Sequence, residues 1–323
     1  MKKAELHVHI EGTVAPSTYQ KLAARHGVKI PEGFMSDQGT YVWQGFPEFI
    51  HAYDRVADVC RTPEDYCDIT YDYQAAAAAQ GSIYTEFFNS PEHGKRMGMS
   101  YADLMAGMAA GIEAARTEFG IEGRIICNSV RHLPDDLIID CATEAAKLAD
   151  HPLLVGFGHA GDETKGHPSS PAVIRAFDIA REAGLRLTCH AGEICGPEII
   201  TATLDYLKVE RIGHGVRAIE DRAVVDRLKG DDIHLEICPL SNIATGQYDR
   251  MIAHPLGALE AAGLSISLNS DDPPFFFTSV GADYAAAQQT FGFSDARMLE
   301  FTRAAVDRAF CDEGTRARLR AQL

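Results

Sequence analysis

The chain has 323 residues, 46% hydrophobic and 24% charged, with a formal net charge of −16 at pH 7. That composition excludes disordered and fibrous classes, and no apolar run approaches the roughly 20 residues that a membrane-spanning helix needs. So large an acidic excess repels phosphate backbones and acidic membrane surfaces, which leaves no nucleic acid and no membrane as expected partner and favours a small neutral or weakly charged molecule.

From the N-terminus, MKKAELHVHIEG lacks the apolar core of a signal peptide. Its segment AELHVH (4–9) is the first of eight short, largely β-branched apolar runs, followed by SIYTEFF (82–88), RIICNSV (124–130), LLVGFGH (153–159), LRLTCHAGE (185–193), RIGHG (211–215), IHLEICPLSN (233–242) and SISLNSDD (265–272). Helix-like stretches lie between them. TPEDYCDITYDYQAAAAAQG (62–81) opens on a Thr cap with Pro behind it and closes on Gly, and SPAVIRAFDIAREAG (170–184) has the same grammar. The run from about Pro31 to Arg61 exceeds a simple first loop and carries Trp43, Phe46, Phe49, Ile50 and Tyr53, so it reads as a helical lid inserted above a barrel mouth. From about Ala282 one or two further helices are expected. No GxGxxG or P-loop follows the first run, and eight strands each with a crossover is the count of a (β/α)8 TIM-type barrel, expected here as a single domain over 1–323. The eight cysteines (Cys60, Cys67, Cys127, Cys141, Cys189, Cys195, Cys238, Cys311) include no CxxC pair, which fits reduced thiols in the cytoplasm.

Barrel enzymes place their reactive groups at the C-terminal ends of strands. The first run ends in His7 and His9, and because alternate residues of a strand face the same way, both imidazoles can point into the mouth. By itself an HxH pair says little. The fifth run, however, ends in His190-Ala191-Gly192-Glu193, the sixth in Gly213-His214-Gly215, and the eighth in Asn269-Ser270-Asp271-Asp272-Pro273. Three histidines and one carboxylate with a position left for water suit a catalytic zinc, so His7, His9, His190 and Asp271 are the expected ligands of one Zn2+ per chain. Glu193, His214 and Asp272 are then free for proton transfer and substrate contacts.

These residues resemble the signature of the adenosine deaminase family of the amidohydrolase superfamily, through ELHVHIEG (5–12), GDETKG (161–166), HAGEICGPE (190–198), ERIGHGVRAIED (210–221), LEICPLSN (235–242) and SLNSDDPPFF (267–276). The resemblance implies a metal-activated water that attacks C6 of a purine. It assigns Glu193 and His214 to catalysis, Glu193 donating a proton to N1 and His214 orienting the water. It places His9, Glu11, Gly161 and Asp272 against the substrate, with Asp272 at N7 and the Gly161 N–H at N3. Nucleoside enzymes of the family carry Asp where Glu11 stands, reaching the ribose. Enzymes resembling adenine deaminases instead tend to have Asp before the sixth-strand histidine and a Ser-Glu pair in place of Gly161-Asp162-Glu163. Because this chain has Gly213 and keeps GDE, the expected reaction is hydrolysis of adenosine and 2′-deoxyadenosine to inosine and 2′-deoxyinosine with release of ammonia; adenine or another 6-aminopurine is the alternative. His159 is a candidate to line the pocket or fill a loop, and no oligomeric state is assigned.

Overall fold

Strands buried on both faces read as continuous apolar runs, and SIYTEFFN is buried at all its positions. The computed structural model describes residues 1–323. Its strands are β1 (Lys3–Glu5), β2 (Ser82–Asn89), β3 (Glu122–Val130), β4 (Leu154–Ala160), β5 (Arg186–Ala191), β6 (Arg211–His214), β7 (His234–Ile237) and β8 (Ser265–Leu268). They pair in parallel in chain order. The seam closes beyond the strand ends, where the His9 N–H donates to the Asp271 carbonyl at 3.0 Å and the Asp271 N–H to the His7 carbonyl at 3.2 Å. The expected (β/α)8 barrel is therefore present, and its seam passes through three of the expected metal ligands, His7, His9 and Asp271.

The crossover helix Pro63–Ala79 starts on a reciprocal cap, the Thr62 hydroxyl accepting from the Asp65 N–H and the Asp65 carboxylate from the Thr62 N–H. The seventh run is shorter as a strand than as an apolar pattern. Pro239 has no N–H for the ladder, and the chain turns instead into the helix Pro239–Ala244. At the C-terminus three helices follow, Val280–Phe291, Asp295–Arg308 and Glu313–Arg320, each opened by a side-chain cap from Ser279, Ser294 or Asp312. One or two were expected; the short last helix has few apolar residues to announce it.

Within 31–61 the only helix is Gly45–Ala57. It docks on the turn after β8: the Trp43 indole donates to the Phe275 carbonyl at 3.2 Å, and the Phe49 ring lies 4.8 Å from that of Phe276. Phe46, Phe49, Ile50 and Tyr53 face a cavity at the C-terminal ends of the strands. No helix is long and apolar enough to cross a membrane.

The barrel interior also holds charge. Arg211, 1% exposed, lies 2.7 Å from Glu86 and 2.6 Å from Glu236, with its guanidinium 3.5 Å over the Phe310 ring. The acids are themselves fully buried, so the cluster is a neutralised network in a low-dielectric core.

Candidate active site

The His7 Nδ1 lies 2.7 Å from Glu236 Oε2, so the ring's N–H is donated to the carboxylate. That leaves Nε2 with its lone pair, and this atom is buried with no hydrogen-bond partner. It sits 3.5 Å from Asp271 Oδ1, which is also 3.3 Å from His9 Nε2; His9 Nε2 in turn faces His190 Nε2 at 3.2 Å. The four ligating atoms all lie within 4.8 Å of one another. Three imidazole nitrogens and one carboxylate oxygen around an orphaned lone pair fit a divalent metal. Asp271 is held well below the usual carboxylate range by His7, His9 and His214 against the effect of burial, and it accepts a further bond from the Ser241 hydroxyl at 2.6 Å.

Two site residues adopt left-handed backbone, His214 at φ 59 and Asp271 at φ 64. In a regular strand Asp271 and Asp272 would face opposite sides; the turned backbone lets both border the cavity. Asp272 packs so closely on Gly12 that a Cβ there would fall 1.7 Å from its Oδ1. Burial, then the charges of Asp271 and Glu193, push the Asp272 carboxyl well up.

Glu193 lies 3.7 Å from His214 Nε2. Burial first, then the neighbouring charges of Asp271 and Glu163, raise its pKa well above the ordinary value. Its loop is shaped by Glu163, whose carboxylate accepts the backbone N–H groups of Gly192, Ile194 and Cys195. The tautomer of His214 follows from a buried chain. The Leu256 N–H donates to His254 Nδ1 at 3.1 Å, so His254 Nε2–H donates to Asn242 Oδ1 at 3.1 Å. Asn242 Nδ2 must then donate to His214 Nδ1 at 3.3 Å, leaving the proton of the neutral ring on Nε2, toward Glu193 and Asp271. Burial, with the charges of His7 and His9, pushes the His214 pKa down to about 3, which keeps the ring neutral.

His9, His190, Glu193, His214, Asp271, Asp272 and the backbone of Gly161 border one cleft with about 880 Å³ of empty space, its open mouth included. Phe88 and Phe276 supply apolar walls. His7 lies behind its rim, and two further residues lie outside it. His159 is fully buried, its Nδ1 2.8 Å from the Ser129 hydroxyl, and does not border the cleft. Glu11 is also fully buried; its carboxylate accepts from Tyr53 at 2.9 Å, Tyr66 at 3.1 Å and Asn89 at 2.6 Å. Sequence reasoning gave no role to Glu236, Ser241, Asn242 or His254. Glu236 had a signal, a carboxylate inside the apolar run IHLEICP; the His214 chain had none, because it joins a strand end, a short helix and a loop that no local pattern links.

The family model for adenosine deaminase matches residues 2–323. An adenine deaminase of Agrobacterium fabrum is 48% identical over 321 residues, covering 99% of this chain and 97% of that protein. The adenine deaminase structure from Arthrobacter aurescens superposes with a TM-score of 0.90 at 31% identity, covering 98% of this chain and 96% of that one. An amidohydrolase from Burkholderia ambifaria, crystallised with bound zinc, superposes with a TM-score of 0.89 at 27% identity, covering 99% and 89%. The chain belongs to the adenosine deaminase family of metal-dependent amidohydrolases and is an aminohydrolase.

Those relatives overturn the expectation of adenosine as substrate. The residues that had favoured adenosine serve the architecture instead. Glu163 of the GDE element holds the Glu193 loop, and Asp162 is turned onto Thr164, its Oδ1 accepting that residue's N–H at 3.0 Å and hydroxyl at 2.6 Å. Gly213 packs against His7, whose Cε1 would lie 2.8 Å from a Cβ there.

Proposed function

We propose that this family member deaminates the free base adenine, converting adenine and water to hypoxanthine and ammonia. The observation that carries the reading is the state of Glu11, the residue placed to reach a sugar: it is enclosed in the wall and saturated by Tyr53, Tyr66 and Asn89. The adenine deaminases similar to this chain over nearly its whole length support it.

On this reading His7, His9, His190 and Asp271 would hold one zinc ion, which when bound would supply a water acidified toward neutrality. Glu193, kept protonated by burial, donates to N1 and leaves C6 short of electrons. The His214 Nε2–H stabilises the charge that develops on the entering oxygen. Asp272, neutral for the same reason as Glu193, donates to N7, and the Gly161 N–H donates to N3. When the C6–N bond breaks, one proton of the water leaves with the amino group as ammonia and the other restores Glu193. The helix Gly45–Ala57 acts as the lid that excludes solvent, and all eight cysteines being unpaired agrees with a cytoplasmic location.

Ammonia release by zinc-loaded protein tests the reading. Adenine should exceed adenosine in kcat/KM by orders of magnitude. Preference for adenosine, or no ammonia from any 6-aminopurine, would overturn it.

A further inference from the structure

We propose that the side-chain carbonyl of Asn89 recognises the N9–H of the free base, and that Glu11 acts by holding the Asn89 amide in the orientation that makes this possible. The inference rests on the adenine reading above. It starts from an acceptor without a donor. Asn89 ends β2, borders the cleft and is 1% exposed. Its Nδ2 donates to Glu11 Oε1 at 2.6 Å. Burial pushes the Glu11 carboxyl up to about 7, against the bonds from Tyr53, Tyr66 and Asn89; in its ionised form the group can only accept, which sets the amide with nitrogen toward Glu11. The Asn89 Oδ1 is thereby committed to the other side, where it is buried and has no hydrogen-bond partner in the protein. Buried amide carbonyls are rarely left unpaired, and one bordering a binding cleft points to a ligand donor.

Barrel topology indicates which donor. The strands run in order around the barrel. With C6 at the metal cluster, N1 falls to Glu193 after β5, N3 to Gly161 after β4 and N7 to Asp272 after β8. Following the purine perimeter from N1 through N3 to N7 passes N9, and following the strand ends from β5 through β4 to β8 passes β3 and β2. N9 therefore meets the sector that holds Asn89. In adenine N9 carries a hydrogen; in every 9-substituted purine, nucleosides included, it carries none, and the same carbonyl then faces carbon. One group both accepts the free base and rejects its nucleoside. The Glu at position 11 is what sets it, by retreating into the wall as an orienting acceptor. Asn128 also borders the cleft with an unpartnered Oδ1, but its amide makes no hydrogen bond that would lock its orientation.

The test compares adenine with 9-methyladenine on wild type, Asn89→Ala, Glu11→Gln and Asn128→Ala, all zinc-loaded and with metal content measured. Wild type should favour adenine by about 10⁴-fold or more in kcat/KM, the scale on which sites built around a substrate N–H reject its analogues. Asn89→Ala should shrink that ratio at least a hundredfold, by losing adenine turnover while keeping or gaining the methylated base. Glu11→Gln frees the amide to flip and should move the ratio in the same direction by raising the KM for adenine. A fold defect would lower both substrates alike, so an unchanged ratio in Asn89→Ala overturns the proposal, as does a ratio that collapses only in Asn128→Ala. Wild-type preference for adenosine would instead mean that the adenine reading itself has failed.

Discussion

Glu236 is fully buried and sits between the metal cluster and the charged core: it accepts from His7 Nδ1 at 2.7 Å and Thr188 at 3.0 Å and pairs with Arg211 at 2.6 Å. Burial opposes its ionisation, but Arg211 and His7 outweigh that and hold its pKa down at about 2, so the group is a charge at every working pH. Glu236→Gln keeps the shape and removes the charge. An amide offers one oxygen where His7, Thr188 and Arg211 share two, and if its NH2 turns to His7 the imidazole proton moves to Nε2, the atom that faces the other expected ligands. Loss of an outer carboxylate of this kind costs about 10- to 100-fold in metal affinity, or about 1.4 to 2.7 kcal/mol. Arg211 keeps Glu86 as a partner, so the stability loss belongs at the low end for a broken buried pair, about 3 kcal/mol. With unfolding entropy near 2.1 cal/mol/K per residue over a chain of 323 residues, that lowers Tm by about 4 °C. Competition with a zinc chelator measures the first quantity, and calorimetry of the metal-free protein the second. A variant with the lower Tm and unchanged zinc affinity would refute the argument, reducing Glu236 to a structural charge.

Glu193→Gln should retain full metal content and lose about 10²- to 10⁴-fold in kcat, because the proton donor is removed without touching a ligand; wild-type kcat would rule out the acid role. Gly12→Ala places a carbon 1.7 Å from Asp272 Oδ1, so Asp272 must move. The variant should bind metal normally and lose about 10²-fold in kcat/KM; intact activity would mean that Asp272 does not position the base. Asp283 is raised to about 8 by burial and by the charges of Glu5 and Asp271, despite bonds from Leu240 and Thr278. The folded chain therefore holds a proton that the unfolded chain releases between the ordinary value of 3.8 and about 8, and stability falls as pH rises through that window. Asp283→Asn cannot titrate and should gain on wild type in Tm from pH 5 to pH 8; a Tm difference that stays flat across the range would show that Asp283 is ionised throughout.

The fold was readable because its signal is local. Eight apolar runs separated by amphipathic stretches can become little other than strands and crossover helices, and each of the eight strands found overlaps one of the runs. Boundaries were less secure where one residue changes the backbone, as at Pro239, which ends the seventh strand inside an apolar run. The expected metal cluster was readable for a related reason: His7, His9, His190 and Asp271 each end a run, and a barrel brings all strand ends to one rim. Strict alternation, though, would have separated Asp271 from Asp272. Only the left-handed backbone at Asp271 brings both to the cleft, and a non-glycine residue gives no warning of that conformation.

Substrate identity was harder to read because it depends on which way a side chain turns after the strand ends. Glu11 and the Asp of nucleoside enzymes differ by one methylene. On the adenine reading, that difference takes the carboxylate away from a sugar and into the wall between Tyr53, Tyr66 and Asn89, residues 42, 55 and 78 positions away. No local pattern links them. The GDE element misled in the same way: Glu163 spends its carboxylate on three backbone N–H groups of the Glu193 loop, so it shapes that loop and carries no information about the sugar. On the adenine reading, specificity in this barrel is set one layer behind the cleft-lining groups, by residues that orient them, and a motif confined to strand ends records the reaction more faithfully than the substrate.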